Sequence, residues 1–223
     1  MSPRFPEGVL FDLDGTLLDS APDMLAVVNA MRLQRDLPEM TLAGIRSHVS
    51  RGGRAMITAA FPEWGEDEVL AQVPEFLGIY QRIQGTHGAA FAGIQPLLQA
   101  LQAGGTRWGI VTNKPEYLAR ELVPKFDWMQ ASGVLVGGDS LPEKKPHPLP
   151  LLHAAQALQV DPARCVYVGD DLRDIQAARA AGMRSIAALW GYRLDHDDPR
   201  HWGADLLVQA PADLLEPDAW PQL

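Results

Sequence analysis

The sequence predicts an α/β fold, in which a parallel sheet carries helices on both faces and a helical segment is inserted after the first strand. Three observations support this prediction. Short, apolar, strand-like runs recur along the chain, and helical patterns lie between most of them. One interval near the N-terminus is far longer than a strand–helix unit requires. The length of 223 residues suits one large domain, or one domain that carries an insertion.

The strand-like runs begin close to the N-terminus and resume after residue 106. The predicted strands are 8–11, 107–112, 134–136, 165–169, 184–189 and 205–208. The predicted helices between them are 94–103, 116–125, 149–158 and 171–181. Glycines stand just past two of the helix ends, where glycine caps are favoured. The last ten residues are rich in proline and predict an irregular tail.

The long interval after the first strand forms the predicted insertion. Its helical patterns cover residues 22–35, 42–49, 54–60 and 66–83, with breaks at Pro38, Gly52-Gly53 and Pro62. We therefore predict a Rossmann-like catalytic core of residues 1–20 and 87–223, with a helical cap of residues 21–86 folded beside it.

Composition and charge narrow the classes of function. Hydrophobic residues make up 47% of the chain, but no run of about 18 apolar residues predicts a membrane span. The segment before the first strand is too short and polar for a signal peptide. Cys165 is the one cysteine, which excludes a disulfide framework, so a cytoplasmic location is expected. The net charge of −9 argues against a nucleic-acid partner, although placed cations could still bind a small anionic substrate. The oligomeric state cannot be read from these features.

The most informative local feature is the run Asp12-Leu13-Asp14-Gly15-Thr16, which follows the first predicted strand. Alternate residues of an extended backbone point the same way, so the carboxylates of Asp12 and Asp14 can converge. Two like charges in close proximity are costly unless a cation lies between them. The run therefore predicts a site for a divalent metal and a phosphate. Taken alone it could also be an ordinary turn, since Asp is common in turns.

Further polar residues fall at the same predicted edge of the sheet. Thr112 and Asn113 follow the second strand, Asp170 and Asp174 follow the fourth, and Lys145 precedes the helix that begins near residue 149. Ligands of open parallel sheets bind beyond the carboxyl ends of the strands. We expect these side chains to form one site with Asp12 and Asp14.

The residue types suit phosphoryl transfer, which depends mainly on positioning and charge neutralisation. Asp12 is suited to attack phosphorus, and Asp14 could protonate the leaving oxygen and later take a proton from water. Thr112 could donate a hydrogen bond from its hydroxyl to phosphate oxygens, and Asn113 could donate one from its side chain or its backbone.

The remaining candidates supply charge around the phosphate. Lys145 offers a cation that offsets both the phosphate and the carboxylates. Asp170 would complete an all-oxygen shell of the kind that Mg²⁺ prefers. Asp174 could hold a metal-bound water or orient Lys145.

The chain resembles the haloacid dehalogenase superfamily of Mg²⁺-dependent phosphohydrolases, and it matches the four motifs of that superfamily in order. The matching residues are Asp12-x-Asp14-Gly15-Thr16, Thr112-Asn113, Lys145-Pro146-x-Pro148 and Gly169-Asp170-x-x-x-Asp174. The resemblance implies a nucleophile at Asp12, an acid/base at Asp14, phosphate ligands at Thr112 and Lys145, and a metal ligand at Asp170. It also implies that the metal takes the backbone carbonyl of Asp14. The insertion resembles the helical cap of the phosphoglycolate phosphatase type.

A narrower resemblance points to one bacterial branch, whose enzymes remove phosphate from N-acetylmuramic acid 6-phosphate. It is carried by the segments at 49–56, 111–115, 169–175 and 202–205. Arg51 departs from the pattern of that branch, in which small residues are usual at this position.

The cap loop at Arg51-Gly52-Gly53-Arg54 is a candidate for reading the substrate. The glycines would let the backbone approach a ligand closely, and either arginine could meet a carboxylate bidentately. Both arginines could equally be solvated at a helix start. His87, in the predicted linker back to the core, is a further candidate for contact with substrate, although a solvent-exposed linker histidine is the simpler interpretation.

Several alternatives stay open at this stage. A phosphosugar mutase could use the same scaffold, although Thr16 favours hydrolysis over the Val of the best-known mutases. A dehalogenase needs neither the acid Asp14 nor a metal at Asp170. A phospho-accepting receiver, or a phosphate-binding protein that has lost catalysis, is disfavoured by the large insertion and by the complete set of motif residues.

Overall fold

The computed structural model describes residues 5–194 and 196–222 and confirms the predicted parallel sheet. The strands are β1 (Gly8–Phe11), β2 (Leu18–Asp19), β3 (Ala89–Ala90), β4 (Arg107–Val111), β5 (Leu135–Val136), β6 (Cys165–Gly169), β7 (Arg184–Ala188) and β8 (Leu206–Val208). The α-helices are α1 (Ala21–Leu33), α2 (Leu42–Ile45), α3 (Gly52–Ala60), α4 (Glu66–Ile83), α5 (Ile94–Ala103), α6 (Glu116–Leu122), α7 (Trp128–Ala131), α8 (Leu149–Leu158) and α9 (Leu172–Ala180).

The main sheet has the strand order β5-β4-β1-β6-β7-β8, and every neighbouring pair in it is parallel. β1 lies in the interior, where Gly8 pairs with Arg107 of β4 on one side and with Cys165 of β6 on the other. The chain order reverses around β1, which places the ends of β1, β4 and β6 next to one another. A crevice at such a switch point is the usual ligand site of an open parallel sheet.

The residues of β1 show why this strand is central. All four residues are buried, and successive side chains enter different apolar clusters. Val9 and Phe11 pack with Trp108 on one face of the sheet, whereas Leu10 packs with Tyr167 on the other. This period-two alternation within an entirely apolar strand is typical of a sheet that is covered by helices on both faces.

The helices of the predicted insertion form an apolar cluster of their own. Val27 and Met31 of α1 meet Ile57 of α3 and Phe76 and Tyr80 of α4. The cluster also takes in two side chains from the rest of the chain, Leu118 and Tyr192. It supports the division at residues 21–86, which we propose as the cap. The helix predicted at 42–49 is α2 followed by a 3₁₀ segment, Arg46–Arg51.

Two short features were not predicted from the sequence. β2 and β3 pair antiparallel beside the start of α1, with Leu18 opposite Ala90. The C-terminal segment is irregular, as predicted, but it is packed, because Leu214 and Trp220 are buried. Among the described residues, no helix combines the length and apolar character that a bilayer crossing requires.

Candidate active site

The predicted site residues that follow strands meet at the carboxyl edge of the sheet. Asp12 follows β1, Thr112 follows β4, and Asp170 follows β6, while Asp174 lies in the first turn of α9. Lys145 reaches this edge from the loop before α8. All five residues are buried. All of them except Asp170 line one cavity.

Lys145 is the central cation of the site. Its Nζ lies 3.0 Å from Asp12 Oδ1 and 2.7 Å from Asp174 Oδ1, and it donates a hydrogen bond of 2.8 Å to the Tyr167 hydroxyl. The Tyr167 hydroxyl in turn donates to the backbone carbonyl of Val111, at 2.7 Å. Burial alone would lower the pKa of the Lys145 ammonium. The negative charges of Asp12 and Asp174 outweigh this effect, so the pKa is raised. Lys145 therefore stays charged and fixed.

Three carboxylates converge beside this lysine. Oxygens of Asp12, Asp170 and Asp174 lie within 4.8 Å of one another, and all three residues are buried. Burial raises the pKa of Asp174 to about 7 even with Lys145 in contact, and burial followed by Asp12 raises the pKa of Asp170 well above its usual value. One ammonium neutralises only one of the three charges. The oxygen-rich donor set and its excess of negative charge fit a hard divalent cation.

Asp170 is held on several sides. Its Oδ1 accepts a hydrogen bond from Thr16 Oγ1, and its Oδ2 accepts from the Tyr192 backbone N–H and from Ser50 Oγ, each at 2.9 Å. Gly15 packs against the same carboxylate with φ +88°, and a Cβ there would stand 2.1 Å from Asp170 Oδ2. Both the left-handed backbone and the missing space require glycine at this position. Ser50 was not among the predicted site residues, since a serine in a polar cap loop carries no signal of its own.

Asp14 lies outside the group of three converging carboxylates and pairs with a different lysine. Its two oxygens lie 3.2 and 3.0 Å from Lys114 Nζ, and Lys114 Nζ also donates a 2.7 Å hydrogen bond to the hydroxyl of Tyr80 on α4. Neither Lys114 nor Tyr80 was predicted as a site residue. The only sequence signal for Lys114 is its place directly after Thr112-Asn113.

The two residues after β4 have distinct environments. The Asn113 side chain holds the backbone of Lys145, donating from Nδ2 to the carbonyl at 2.9 Å and accepting from the N–H at 3.1 Å. Its amide therefore positions Lys145, and a phosphate contact of its side chain, which the sequence suggested, would compete with these bonds. Thr112 Oγ1 accepts from the Lys114 N–H at 3.2 Å, which leaves the hydroxyl proton of Thr112 available to a ligand.

A cavity of about 310 Å³ opens above these groups. Asp12, Asp14, Thr112 and Lys145 line its base, and the insertion supplies much of the rest of the wall. The apolar part of the wall consists of Met24, Val49, Val73, Phe76, Leu77 and Leu118. The cavity therefore combines a charged base with apolar sides.

The cap loop reaches this cavity. Arg51 and Arg54 both line it, and both residues are exposed. Arg54 is paired with Glu66 at the start of α4. Gly53 packs tightly on Phe76, since a Cβ at Gly53 would stand 2.9 Å from the ring, so this glycine permits close helix packing.

His87 is the one predicted site residue that lies apart from the others. Its backbone N–H donates to Asp23 Oδ1 at 2.8 Å, and it lines a separate groove on the outer side of α1, with Leu25 and Leu33. Its contact with substrate stays a prediction that this arrangement does not favour.

Comparison with known proteins identifies the scaffold. Residues 9–188 match the family described as haloacid dehalogenase-like hydrolase, which covers most of the chain. The chain belongs to this family. The match confirms the resemblance that the four motifs indicated.

Relatives of this chain bear the names of phosphatases. A phosphoglycolate phosphatase of Xanthomonas campestris is 59% identical, over 98% of this chain and 99% of that protein. An N-acetylmuramic acid 6-phosphate phosphatase of Pseudomonas aeruginosa is 43% identical, over 94% of this chain and 93% of that protein. The crystal structure of a predicted phosphoglycolate phosphatase from Haemophilus somnus superimposes with a TM-score of 0.83 at 26% identity, over 96% of this chain and 98% of that chain.

Proposed function

We propose that the protein is a Mg²⁺-dependent phosphomonoester hydrolase that forms an aspartyl-phosphate on Asp12. One observation carries the proposal. At the base of a cavity, buried Lys145 bridges Asp12 and Asp174 beside a third carboxylate, Asp170. A nucleophile, a fixed cation and a set of oxygen donors for a metal are therefore in contact, which is what phosphoryl transfer to a carboxylate requires.

The two oxygens of Asp12 differ in their contacts. Oδ1 accepts from the Leu13 N–H at 2.7 Å and lies 3.0 Å from Lys145 Nζ. These contacts engage Oδ1 and orient the carboxylate, and we assign the attack on phosphorus to the other oxygen, Oδ2. Attack forms an Oδ2–phosphorus bond and breaks the bond from phosphorus to the ester oxygen. Lys145 and the Thr112 hydroxyl offset and hold the phosphate charge during the transfer.

Asp14 serves both halves of the reaction. It gives a proton to the departing ester oxygen, which leaves as an alcohol, and it is then a carboxylate. In the second half it takes a proton from the water that attacks the phosphorus of the Asp12 phosphate. Inorganic phosphate leaves, the Asp12 carboxylate is regenerated, and Asp14 is again protonated.

Asp12, Asp170 and the backbone carbonyl of Asp14 would hold Mg²⁺, with Asp174 acting beside them on a bound water or on Lys145. When bound, the ion would neutralise charge on the phosphate and on the three carboxylates. The fit rests on the buried negative charge of the cluster, which Lys145 alone does not balance.

The cavity favours one of the two substrates that relatives' names suggest. Phosphoglycolate is a two-carbon acid without apolar groups, whereas N-acetylmuramic acid 6-phosphate carries a sugar ring and two methyl groups. A cavity of about 310 Å³ with Val73, Phe76 and Leu118 in its wall offers apolar contacts that only the larger molecule can use. We therefore propose a phosphorylated sugar acid of this size as the preferred substrate.

The test of the proposed function is phosphate release by wild type and by Asp12→Asn. Wild type should release inorganic phosphate from p-nitrophenyl phosphate with Mg²⁺, and the Asn variant should lose at least about a thousandfold in kcat, because the covalent route is closed. Asp67→Asn, an exposed site on α4, is the matched control and should keep full activity. Substantial turnover by Asp12→Asn would refute the nucleophile.

The same assay addresses the substrate and the mutase alternative. We expect kcat/KM to be higher for N-acetylmuramic acid 6-phosphate than for phosphoglycolate, with free phosphate as product. A clear preference for phosphoglycolate would overturn the argument from the cavity. Transfer of phosphate between positions of a sugar phosphate, without release, would indicate a mutase.

A further inference from the structure

We infer that Lys114 and Tyr80 are positioning residues that connect the cap helix α4 to the acid/base Asp14. The inference rests on the proposed function, because it assigns to Asp14 the proton transfers described above. It adds two residues that neither the motifs nor the relatives' names assign to a role.

Lys114 contacts both Asp14 and Tyr80. Lys114 Nζ lies 3.0 and 3.2 Å from the two Asp14 oxygens and donates to the Tyr80 hydroxyl at 2.7 Å. It also lies 4.3 Å from the centre of the Tyr80 ring. One ammonium therefore spans three chain segments: the turn after β1, the loop after β4 and the body of α4.

All three side chains are buried or nearly buried. The side chain of Lys114 is 4% exposed, that of Asp14 is 14% exposed, and Tyr80 is 1% exposed. Burial, and then the charge of Asp14, raise the pKa of Tyr80 well above its usual value, so the phenol is neutral and its oxygen accepts from the lysine. The buried ammonium of Lys114 depends on both Asp14 and Tyr80, because water cannot easily replace either contact.

The two contacts of Lys114 have different consequences. Lys114 contacts both oxygens of Asp14, so it fixes the orientation of this side chain toward the leaving oxygen. Tyr80 fixes Lys114 only when α4 lies against the core. A displacement of α4 would remove the hydroxyl from Lys114 and so weaken the hold of Lys114 on Asp14. Asp14 is then held most firmly when α4 packs on the core, which ties proton transfer to the exclusion of solvent.

The test compares kcat/KM for two substrates, because kcat/KM reports the first transfer of phosphate. An alkyl phosphate needs a proton on its leaving oxygen, whereas p-nitrophenyl phosphate does not. Lys114→Met should lower kcat/KM for the alkyl phosphate about tenfold to a hundredfold more than for p-nitrophenyl phosphate, as expected for loss of a charged hydrogen bond. Tyr80→Phe, which deletes one oxygen, should act in the same direction by about two- to tenfold.

Double-mutant cycles show whether Lys114 and Tyr80 act through Asp14. In an Asp14→Asn background, assayed with the alkyl phosphate at high enzyme concentration, Lys114→Met and Tyr80→Phe should each change kcat/KM by less than about twofold. Tyr117→Phe, at an exposed position, is the matched control for Tyr80→Phe. Thermal unfolding of every variant separates folding damage from a positioning effect, and Tyr80→Phe keeps the packing of its ring.

The outcomes are distinct. Equal losses on both substrates, or losses that persist in the Asp14→Asn background, would overturn this inference and leave the proposed function standing. A wild-type enzyme that releases no phosphate from either substrate would overturn both.

Discussion

Replacing Lys145 with Met is the most demanding test of the charge balance at the site. The side chain is 2% exposed, and its ammonium contacts Asp12 at 3.0 Å and Asp174 at 2.7 Å. Methionine fills a similar volume but brings no charge and no donor. The change therefore leaves the buried carboxylates of Asp12, Asp170 and Asp174 without their contacting cation.

The magnitude follows from these contacts. Removing one partner of a buried ion pair costs about 3–5 kcal/mol, because the remaining charge is left desolvated. The free energy of unfolding of a native domain is only about 5–15 kcal/mol, so this loss is a large part of the total stability. Protonation relieves part of the cost, since the pKa of Asp174 already stands at about 7 in the intact site. The loss should be largest above that pH and without metal.

The assay is urea unfolding in EDTA at about pH 8, repeated with Mg²⁺ and at about pH 6. Lys145→Met should lose about 3–5 kcal/mol in EDTA at the higher pH, and Mg²⁺ or the lower pH should recover part of it. Lys144→Met, the exposed neighbour, should stay within about 0.5 kcal/mol of wild type. If the two lysine variants were equally stable at about pH 8 in EDTA, the argument that Lys145 balances the cluster would be wrong.

Three further predictions address the metal, pH and substrate recognition. EDTA should abolish phosphate release, Mg²⁺ should restore it, and Asp170→Ala should raise the Mg²⁺ concentration needed; full activity in excess EDTA would end the metal argument. Because the folded-state pKa of Asp174 is raised from 3.8 to about 7, the native protein holds a proton that the unfolded chain has released in this range. The melting temperature in EDTA should therefore fall as the pH rises from about 5 to about 8, and Mg²⁺ should reduce the fall; a melting temperature that rises with pH would contradict this. Finally, Arg51→Ala and Arg54→Ala should each lower kcat/KM by about ten- to a hundredfold for a substrate with a carboxylate, and barely for p-nitrophenyl phosphate. Equal losses on both substrates, or none on either, would show that this loop does not read the carboxylate.

Much of the base of the site could be predicted because it depends on local pattern. A parallel strand that is apolar throughout must be buried, and the first polar residues after it must stand at its carboxyl end. This places Asp12, Thr112 and Asp170 at one edge without knowledge of the strand order. The predicted boundaries differ from the observed ones by about one to three residues, as in α6, which ends at Leu122 rather than at residue 125.

The contacts between cap and core could not be predicted in the same way. The hydrogen bond from Ser50 to Asp170 and that from Lys114 to Tyr80 join residues 120 and 34 positions apart. They depend on how the helices of the insertion lie on the sheet, and the periodicity of one helix does not fix that. The β2–β3 pair could not be predicted either, because a strand of two residues is too short to show an alternation of polar and apolar side chains.

The cations around the cavity show why the substrate is harder to predict than the chemistry. Lys145 and Lys114 are buried and already hold carboxylates, so their charge belongs to the groups that we propose as catalytic. Arg54 also has a partner, Glu66, but their side chains are 55% and 71% exposed. An exposed pair of this kind is worth only about 0–1 kcal/mol, so Arg54 can exchange Glu66 for a substrate carboxylate at little cost. The charges that could select the substrate are thus the exposed and weakly held ones, and their final partners are decided only when a ligand is bound.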